Sequence, residues 1–184
     1  MTAQPSGVEA YVLGREYAVM PIPIDWEECV EVAAGPVTFA VEARVLTHAA
    51  IVANEERQGV TDGLEHEYDS LHDGGASLHV LDADSRLEYL RFDCFDNEPH
   101  YHYIRNDEQR NVVVRIDVHA EGDPVEWTLG RAASRLPEML EFANGADLAA
   151  AVRAAESEVL GAIDELREIF ERVARVSDGG SRRS

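Results

Sequence analysis

Residues 87–119 read LEYLRFDCFDNEPHYHYIRNDEQRNVVVRIDVH, and the strand pattern of the protein is clearest in them. Apolar and polar side chains alternate along three parts of it, which is the pattern of strands with one buried face. Pro99 and the polar run 106–109 place short turns between these parts. Because short turns join antiparallel neighbours, the stretch predicts a β-meander. With the strand that precedes it, the predicted meander comprises 76–82, 87–93, 100–105 and 110–119.

The register of the last hairpin follows from its turn. A tip at 107–108 places His102 opposite Val113. The same register places His100 opposite Arg115. Directly opposed residues share a face, so the predicted core side is apolar and comprises Tyr101, Tyr103, Val112, Val114, Ile116 and Val118. The predicted polar side, which we expect to be free of helices, presents Arg91, Asp93, His100, His102, Arg115, Asp117 and His119.

The polar side carries the residue types of a metal or acid–base site. Two histidines at i and i+2 on one strand face lie about 6–7 Å apart, which suits two ligands of one divalent ion if both side chains lean inward. A neighbouring carboxylate completes a histidine–carboxylate ligand set. The candidate metal ligands are His100, His102, Asp93 and Asp117. The same surface can instead move protons and hold an anion, and the candidate catalytic residues are His100, His102, Arg91 and Arg115.

Two other interpretations of the polar side stay open. An open antiparallel sheet commonly has one solvated face, on which cross-strand Arg–Asp pairs contribute about 0.2–1 kcal/mol each. The same face can also bind an anion or a peptide without catalysis. Both the metal and the acid–base interpretations require the face to be concave.

The C-terminal part of the chain is predicted to be helical. Asp123, Pro124 and Glu126 form a helix start, and Pro137 breaks or restarts that helix. After the stop signal at 144–145, apolar residues spaced by three and four predict one long helix over about 147–176. Such a helix is longer than a small sheet, so it either projects and mediates homodimerisation or bends over the sheet.

The predicted fold class is α+β, an antiparallel β-meander sheet with C-terminal helices packed on one face. A strand is also predicted at 37–45, followed by an acidic surface loop over about 53–75. We expect residues 1–176 to form a single domain and residues 177–184 to be a disordered tail.

Composition excludes several functions. The 184-residue chain has a formal net charge of -20, and all 16 of its basic residues are arginine. Without lysine it has neither Schiff-base chemistry nor a P-loop lysine. The acidity disfavours direct nucleic-acid binding and favours either plain solubility or a basic protein partner. No apolar run is long enough for a membrane span, no signal-peptide pattern is present, and the only cysteines are Cys29 and Cys94, so we expect a cytoplasmic protein.

The expected function is therefore a non-enzymatic binding or protein-interaction module. One alternative is a metal-dependent hydrolase-like enzyme that uses the polar side, with a divalent metal as its cofactor. Another is an acidic inhibitor or antitoxin-like partner of a basic protein. Nucleophile-elbow, dinucleotide-binding, zinc-protease and paired CxxC motifs are all missing from the chain.

The run LRFDCFDNEPHYHYI at 90–104, followed by DPVEWTLGR at 123–131 and RLPEML at 135–140, resembles a family of uncharacterised bacterial proteins. The similarity covers about residues 87–142. It implies that meander and helices belong to one domain, and it transfers no activity and no catalytic residues.

Overall fold

The computed structural model describes residues 13–60 and 72–180, apart from the side chains of 174–180. Seven strands form one antiparallel sheet in the order β1-β7-β6-β5-β4-β3-β2. The strands are β1 Arg15–Tyr17, β2 Cys29–Ala34, β3 Val37–Thr47, β4 His72–Asp82, β5 Glu88–Phe95, β6 His100–Arg105 and β7 Arg110–Arg115. From β2 to β7 the sheet is a meander, which confirms the predicted fold class.

A 3₁₀ turn, Trp26–Glu28, precedes β2, and most of the helices follow the sheet. The helices are α1 His48–Arg57, α2 Val118–Glu121, α3 Pro124–Ser134, α4 Leu136–Phe142, α5 Ala146–Ala154 and α6 Glu156–Gly180. Asp123 caps α3 by accepting from the N–H groups of Val125 and Glu126, and Pro137 lies in the first turn of α4. Both features agree with the sequence pattern.

The prediction of a single helix over 147–176 is wrong, because two helices cover this range. Ala155 leaves helical geometry, with φ -110° and ψ 27°, and separates α5 from α6. Alanine is a strong helix former, so no residue type marks this break in the sequence. The predicted disordered tail is also wrong at its start, because α6 continues to Gly180. Residues 181–184 lie outside the described residues.

The predicted acidic loop over 53–75 is wrong at both ends. Thr47 caps α1, which continues to Arg57, and β4 already begins at His72. Strands β3 and β4 pair along their whole length, up to Thr47 opposite His72. This long pairing with β3 holds the first residues of β4 in the sheet, although their acidic and glycine residues suggest a loop when the sequence is considered alone. Residues 61–71 lie outside the described residues, as does the part of the predicted single domain before residue 13.

One face of the sheet, the core face, carries the hydrophobic core. Helices α3, α4 and α6 pack against it, with α5 joining α4 and α6. The fully buried core side chains include Phe39, Leu78, Leu90, Phe92, Leu129, Leu140 and Leu166. The C-terminal helices therefore pack on one face, as predicted.

The opposite face, which we call the cleft face, is not free of helices as predicted. Helix α1 and a covering segment, residues 19–22, lie over it. Asn111 donates its side-chain amide to the Val19 carbonyl, and Arg91 donates to the Ile22 carbonyl at 2.8 Å. Asn54 of α1 donates to the Met20 carbonyl at 2.9 Å. Sequence periodicity does not show this cover, because its contacts span 34 to 92 residues of chain.

Candidate functional site

A cleft of about 800 Å³ lies between the cleft face and the cover formed by residues 19–22 and α1. Its apolar walls include Met20, Pro21, Ile22, Leu46, Ile51, Phe95 and Val113. Its polar groups include Arg44, Arg91, Asp93, His100, His102, Asn111 and Arg115. Small-molecule sites typically enclose about 300–1,000 Å³ and combine apolar walls with a few polar groups. The concavity that the metal and acid–base interpretations require is therefore present.

Three predicted site residues meet at the floor of this cleft. Asp93 on β5 pairs with His100 on β6, and His102 is two residues further along β6. The Nε2 atom of His102 lies 3.1 Å from Asp93 Oδ2, and that of His100 lies 3.3 Å from the same oxygen. One ligand atom from each residue lies within 4.8 Å of the other two. The register predicted from the hairpin tip, including His100 opposite Arg115, is confirmed.

The other ring nitrogen of each histidine contacts an oxygen acceptor. His100 Nδ1 lies 2.7 Å from the carbonyl oxygen of Glu98, so this nitrogen carries the proton. His102 Nδ1 lies 2.9 Å from Asn111 Oδ1. The amide group of Asn111 is oriented by its donation to Val19, which leaves its oxygen to accept from His102. Both Nδ1 atoms therefore donate, and both Nε2 atoms face Asp93.

This arrangement is unfavourable for neutral imidazoles on their own. A neutral ring whose Nδ1 donates presents a lone pair at Nε2, and Asp93 Oδ2 is also an acceptor. Burial lowers the pKa of His100, but the hydrogen bond and charge of Asp93 outweigh burial and raise it overall. Burial also lowers the pKa of His102, and Asp93 offsets this only in part. The raised pKa favours a protonated His100 that donates from Nε2 to Asp93, whereas the lowered pKa of His102 favours a neutral ring whose Nε2 lone pair faces the same carboxylate.

Asp93 is held by its own partners. Burial raises its pKa, but the hydrogen bonds and charges of His100 and His102 outweigh burial and hold that pKa well below its ordinary value. The Ser77 hydroxyl contacts Oδ1, which leaves Oδ2 for the histidines. The carboxylate is thus ionised and oriented into the cleft floor.

A second aspartate supports the loop that orients His100. Asp73 accepts hydrogen bonds from the backbone N–H groups of Asn97 at 3.1 Å and Glu98 at 2.8 Å. These bonds position the Glu98 carbonyl that receives His100 Nδ1–H. Supporting contacts of this kind orient the ligands of metal sites.

Arg91, predicted to hold an anion, is occupied by structural contacts. It donates to both carboxylate oxygens of Glu88, at 2.8 and 2.7 Å, and to the Ile22 carbonyl. A register shift between Val80 and Leu81 brings Glu88 to the cleft face, where alternation from Arg91 places Tyr89 instead. Burial raises the pKa of Glu88, but the charge of Arg91 and the hydrogen bond of His79 outweigh burial and lower this pKa to about 2.

The remaining candidates lie at or beyond the rim of the cleft. Arg115 lines the cleft but is largely exposed and pairs with Glu98 at 2.8 Å. The predicted placement of Asp117 and His119 on the polar side of the sheet is wrong, because β7 ends at Arg115. Asp117 instead caps α2 by accepting from the N–H groups of His119 and Ala120, and it does not line the cleft.

Sequence reasoning missed three residues that shape the site. Ser77 and Asn111 orient Asp93 and His102, and Arg44 lines the cleft from β3. Asn111 had a usable signal, because it is a polar residue at the start of the valine run of β7. The other two become neighbours of the site only through strand pairing.

Comparison with protein families identifies the domain. The model of a domain of unknown function, DUF7700, matches residues 31–169, and the chain belongs to this family. Asp93, His100 and His102 lie within the matched range. No curated protein and no solved structure matches the chain. Among residues 13–60 and 72–180, no helix is both long and apolar enough to cross a membrane.

Proposed function

We propose that this member of the DUF7700 family is a metal-dependent, hydrolase-like enzyme that acts on a small molecule in the cleft. Its metal ligands are Asp93, His100 and His102. The observation that carries the proposal is the convergence of both Nε2 atoms on Asp93 Oδ2 while both Nδ1 atoms donate to oxygen. Histidine ligands of metals characteristically donate their second ring N–H to such acceptors.

The distances support an ion of ordinary size. Bonds of about 2.0–2.1 Å to a tetrahedral ion place neighbouring ligand atoms about 3.3 Å apart. The two nitrogen–oxygen separations here are 3.1 and 3.3 Å. Two histidines and one carboxylate are a ligand set of catalytic zinc and of non-haem iron sites, both of which keep positions open for water or substrate. Asp93, His100 and His102 line the cleft, so an ion that they hold would be accessible from it.

The chemistry follows from those open positions. A divalent ion lowers the pKa of a bound water and polarises a bound oxygen of the substrate. The apolar walls accommodate the body of a small molecule, and an ion held by Asp93, His100 and His102 would bind its polar group. Hydrolysis by metal-bound water is the reaction class that this combination supports best.

Metal analysis tests the first step. Untagged protein is analysed for bound metal and then titrated with Zn²⁺ and Mn²⁺ by calorimetry, beside a His100→Ala/His102→Ala double variant. We expect binding at the cleft to be lost in the double variant and retained in His119→Ala, a matched control outside the site. Wild-type protein that binds no ion, or that binds no more ions than the double variant, would overturn the proposal.

Turnover tests the second step. Metal-loaded protein is assayed against a panel of esters and phosphoesters, and we expect hydrolysis that disappears in the double variant. Metal binding without turnover would leave the non-enzymatic binding role in its place. Homodimerisation through the C-terminal helix, a basic protein partner and a cytoplasmic location stay predictions.

A further inference from the structure

A second group of metal-binding residue types lies on the cleft face, on the strands β2, β3 and β4. Cys29 pairs with Glu42 across β2 and β3, and His79 follows on β4. One ligand atom of each, a sulfur, a carboxylate oxygen and an imidazole nitrogen, lies within 4.8 Å of the other two. His79 is fully buried, Glu42 is nearly so, and Cys29 is half-buried. The group shares no residue with the cleft floor.

His79 is oriented in the same way as the histidines of the cleft. Its Nδ1 lies 2.6 Å from Glu88 Oε1, and its Nε2 lies 3.0 Å from Glu42 Oε2. Arg91 binds both oxygens of Glu88, so Glu88 is an acceptor held in place. Each ring nitrogen of His79 therefore faces a carboxylate acceptor, and a ring that donates Nδ1–H to Glu88 has Nε2 available as a ligand for a cation beside Glu42. Carboxylate–histidine–metal triads have this geometry.

We propose that Cys29, Glu42 and His79 form a second site, a largely closed one, for a zinc-class ion. A thiolate sulfur together with an imidazole suits Zn²⁺ and discriminates against magnesium and calcium. The ion fastens the edge strand β2 to β3 and β4. Its role is structural, and it is separate from the ion proposed for the cleft.

Arg44 is a neighbouring cation that this site must accommodate. It donates to Glu42 Oε2 at 3.2 Å, the same oxygen that faces His79. Within residues 13–60 and 72–180, no hydrogen bond reaches the other oxygen, Oε1. An ion at this site would bind Glu42 beside Arg44, which pairs with the same carboxylate.

Cobalt spectroscopy tests the proposal, because only this site contains sulfur. Reduced, metal-free protein is titrated with Co²⁺ and followed in the near ultraviolet, where thiolate ligation produces a sulfur-to-cobalt charge-transfer band. We expect this band in the wild type and in the His100→Ala/His102→Ala variant. In Cys29→Ser we expect the band to disappear and the amount of bound ion to fall by about one equivalent per chain. The matched control is Cys94→Ser, which alters the only other cysteine.

The variants also separate the two proposals. Cys29 is half-buried at the start of an edge strand, so serine is accommodated there, and circular dichroism checks the fold of each variant. A wild type without the band, or a band that persists in Cys29→Ser, would overturn the second site. Loss of ion binding only in the histidine double variant would leave the cleft site standing alone.

Discussion

The two faces of the sheet are both largely buried, yet they are built in opposite ways. On the core face, Phe39, Leu90 and Phe92 pack against helices through apolar contacts. On the cleft face, His79, Arg91 and Asp93 are just as inaccessible but ionisable. Apolar burial stabilises a fold directly, whereas buried polar groups cost free energy unless each has a partner. The core face therefore accounts for stability, and the cleft face points to function.

The largest expected effect is on the core face. Phe92 is fully buried and contacts the rings of Tyr101 and Trp127. Phe92→Ala removes these contacts and leaves a cavity, so we expect the free energy of unfolding to fall by about 4 kcal/mol. Urea denaturation measures this. Leu160→Ala, at an exposed position of α6, is the control, with an expected change of about 0.5 kcal/mol or less. An equal loss in both variants would contradict the assignment of the core.

The next effect concerns the ion pair of the cleft face. Glu88→Gln leaves Arg91 buried without its counter-charge, and we expect a loss of about 3 kcal/mol at neutral pH. Since folding depresses the pKa of Glu88 to about 2, its contribution is complete above the ordinary value of 4.5 and decreases as the pH falls towards 2.

Unfolding curves of wild type and Glu88→Gln across pH 7 to 2 check this prediction. The difference between the two proteins should shrink below about pH 4.5. A difference that stays constant down to pH 2 would mean that the carboxylate charge is not the stabilising element.

A smaller effect on stability, with a larger one on binding, is expected at Asn111. Asn111→Ala removes the acceptor of His102 Nδ1–H and the donor to Val19. We expect a loss of about 1–2 kcal/mol in stability. We also expect about 10- to 100-fold weaker metal binding at the cleft, since supporting residues of metal sites have effects of this size. Calorimetric titration with Zn²⁺ measures the affinity, and unchanged affinity would sink the supporting role of Asn111.

The smallest effect is expected at the rim. Arg115 pairs with Glu98, but its side chain is 77% exposed. Arg115→Ala should change stability by less than about 1 kcal/mol, because exposed ion pairs contribute little. Thermal unfolding checks this, and a loss as large as that of Glu88→Gln would erase the contrast between buried and exposed pairs.

The strand register was predictable because the side-chain period of a strand is two. Once 107–108 is the tip of the hairpin, His100 and His102 must share a face, and the structure has this register. Strict alternation did not predict the face of Glu88, because the register shift between Val80 and Leu81 moves Glu88 to the cleft face. It also failed for Asp117, where a helix cap ends the strand early.

The cover of the cleft was not predictable from local patterns. Residues 19–22 show no periodicity that assigns them to the sheet, and their partners Asn54, Arg91 and Asn111 lie far along the chain. The same holds for the roles of Ser77 and His79, whose neighbours are set by pairing between strands. Contacts of this kind become visible only when the strands are placed side by side.

By itself, the sequence determined the α+β class, the meander and the shared face of Asp93, His100 and His102. These properties follow from periodicity and turn chemistry, which act over a few residues. The folded structure was needed to show that this face is a cleft, that the Nδ1 atoms of His100 and His102 each donate to an oxygen, and that Arg91 is occupied by Glu88. The reason is physical: concavity and hydrogen-bond partners depend on side chains brought together across many residues of chain, and local pattern carries no record of them.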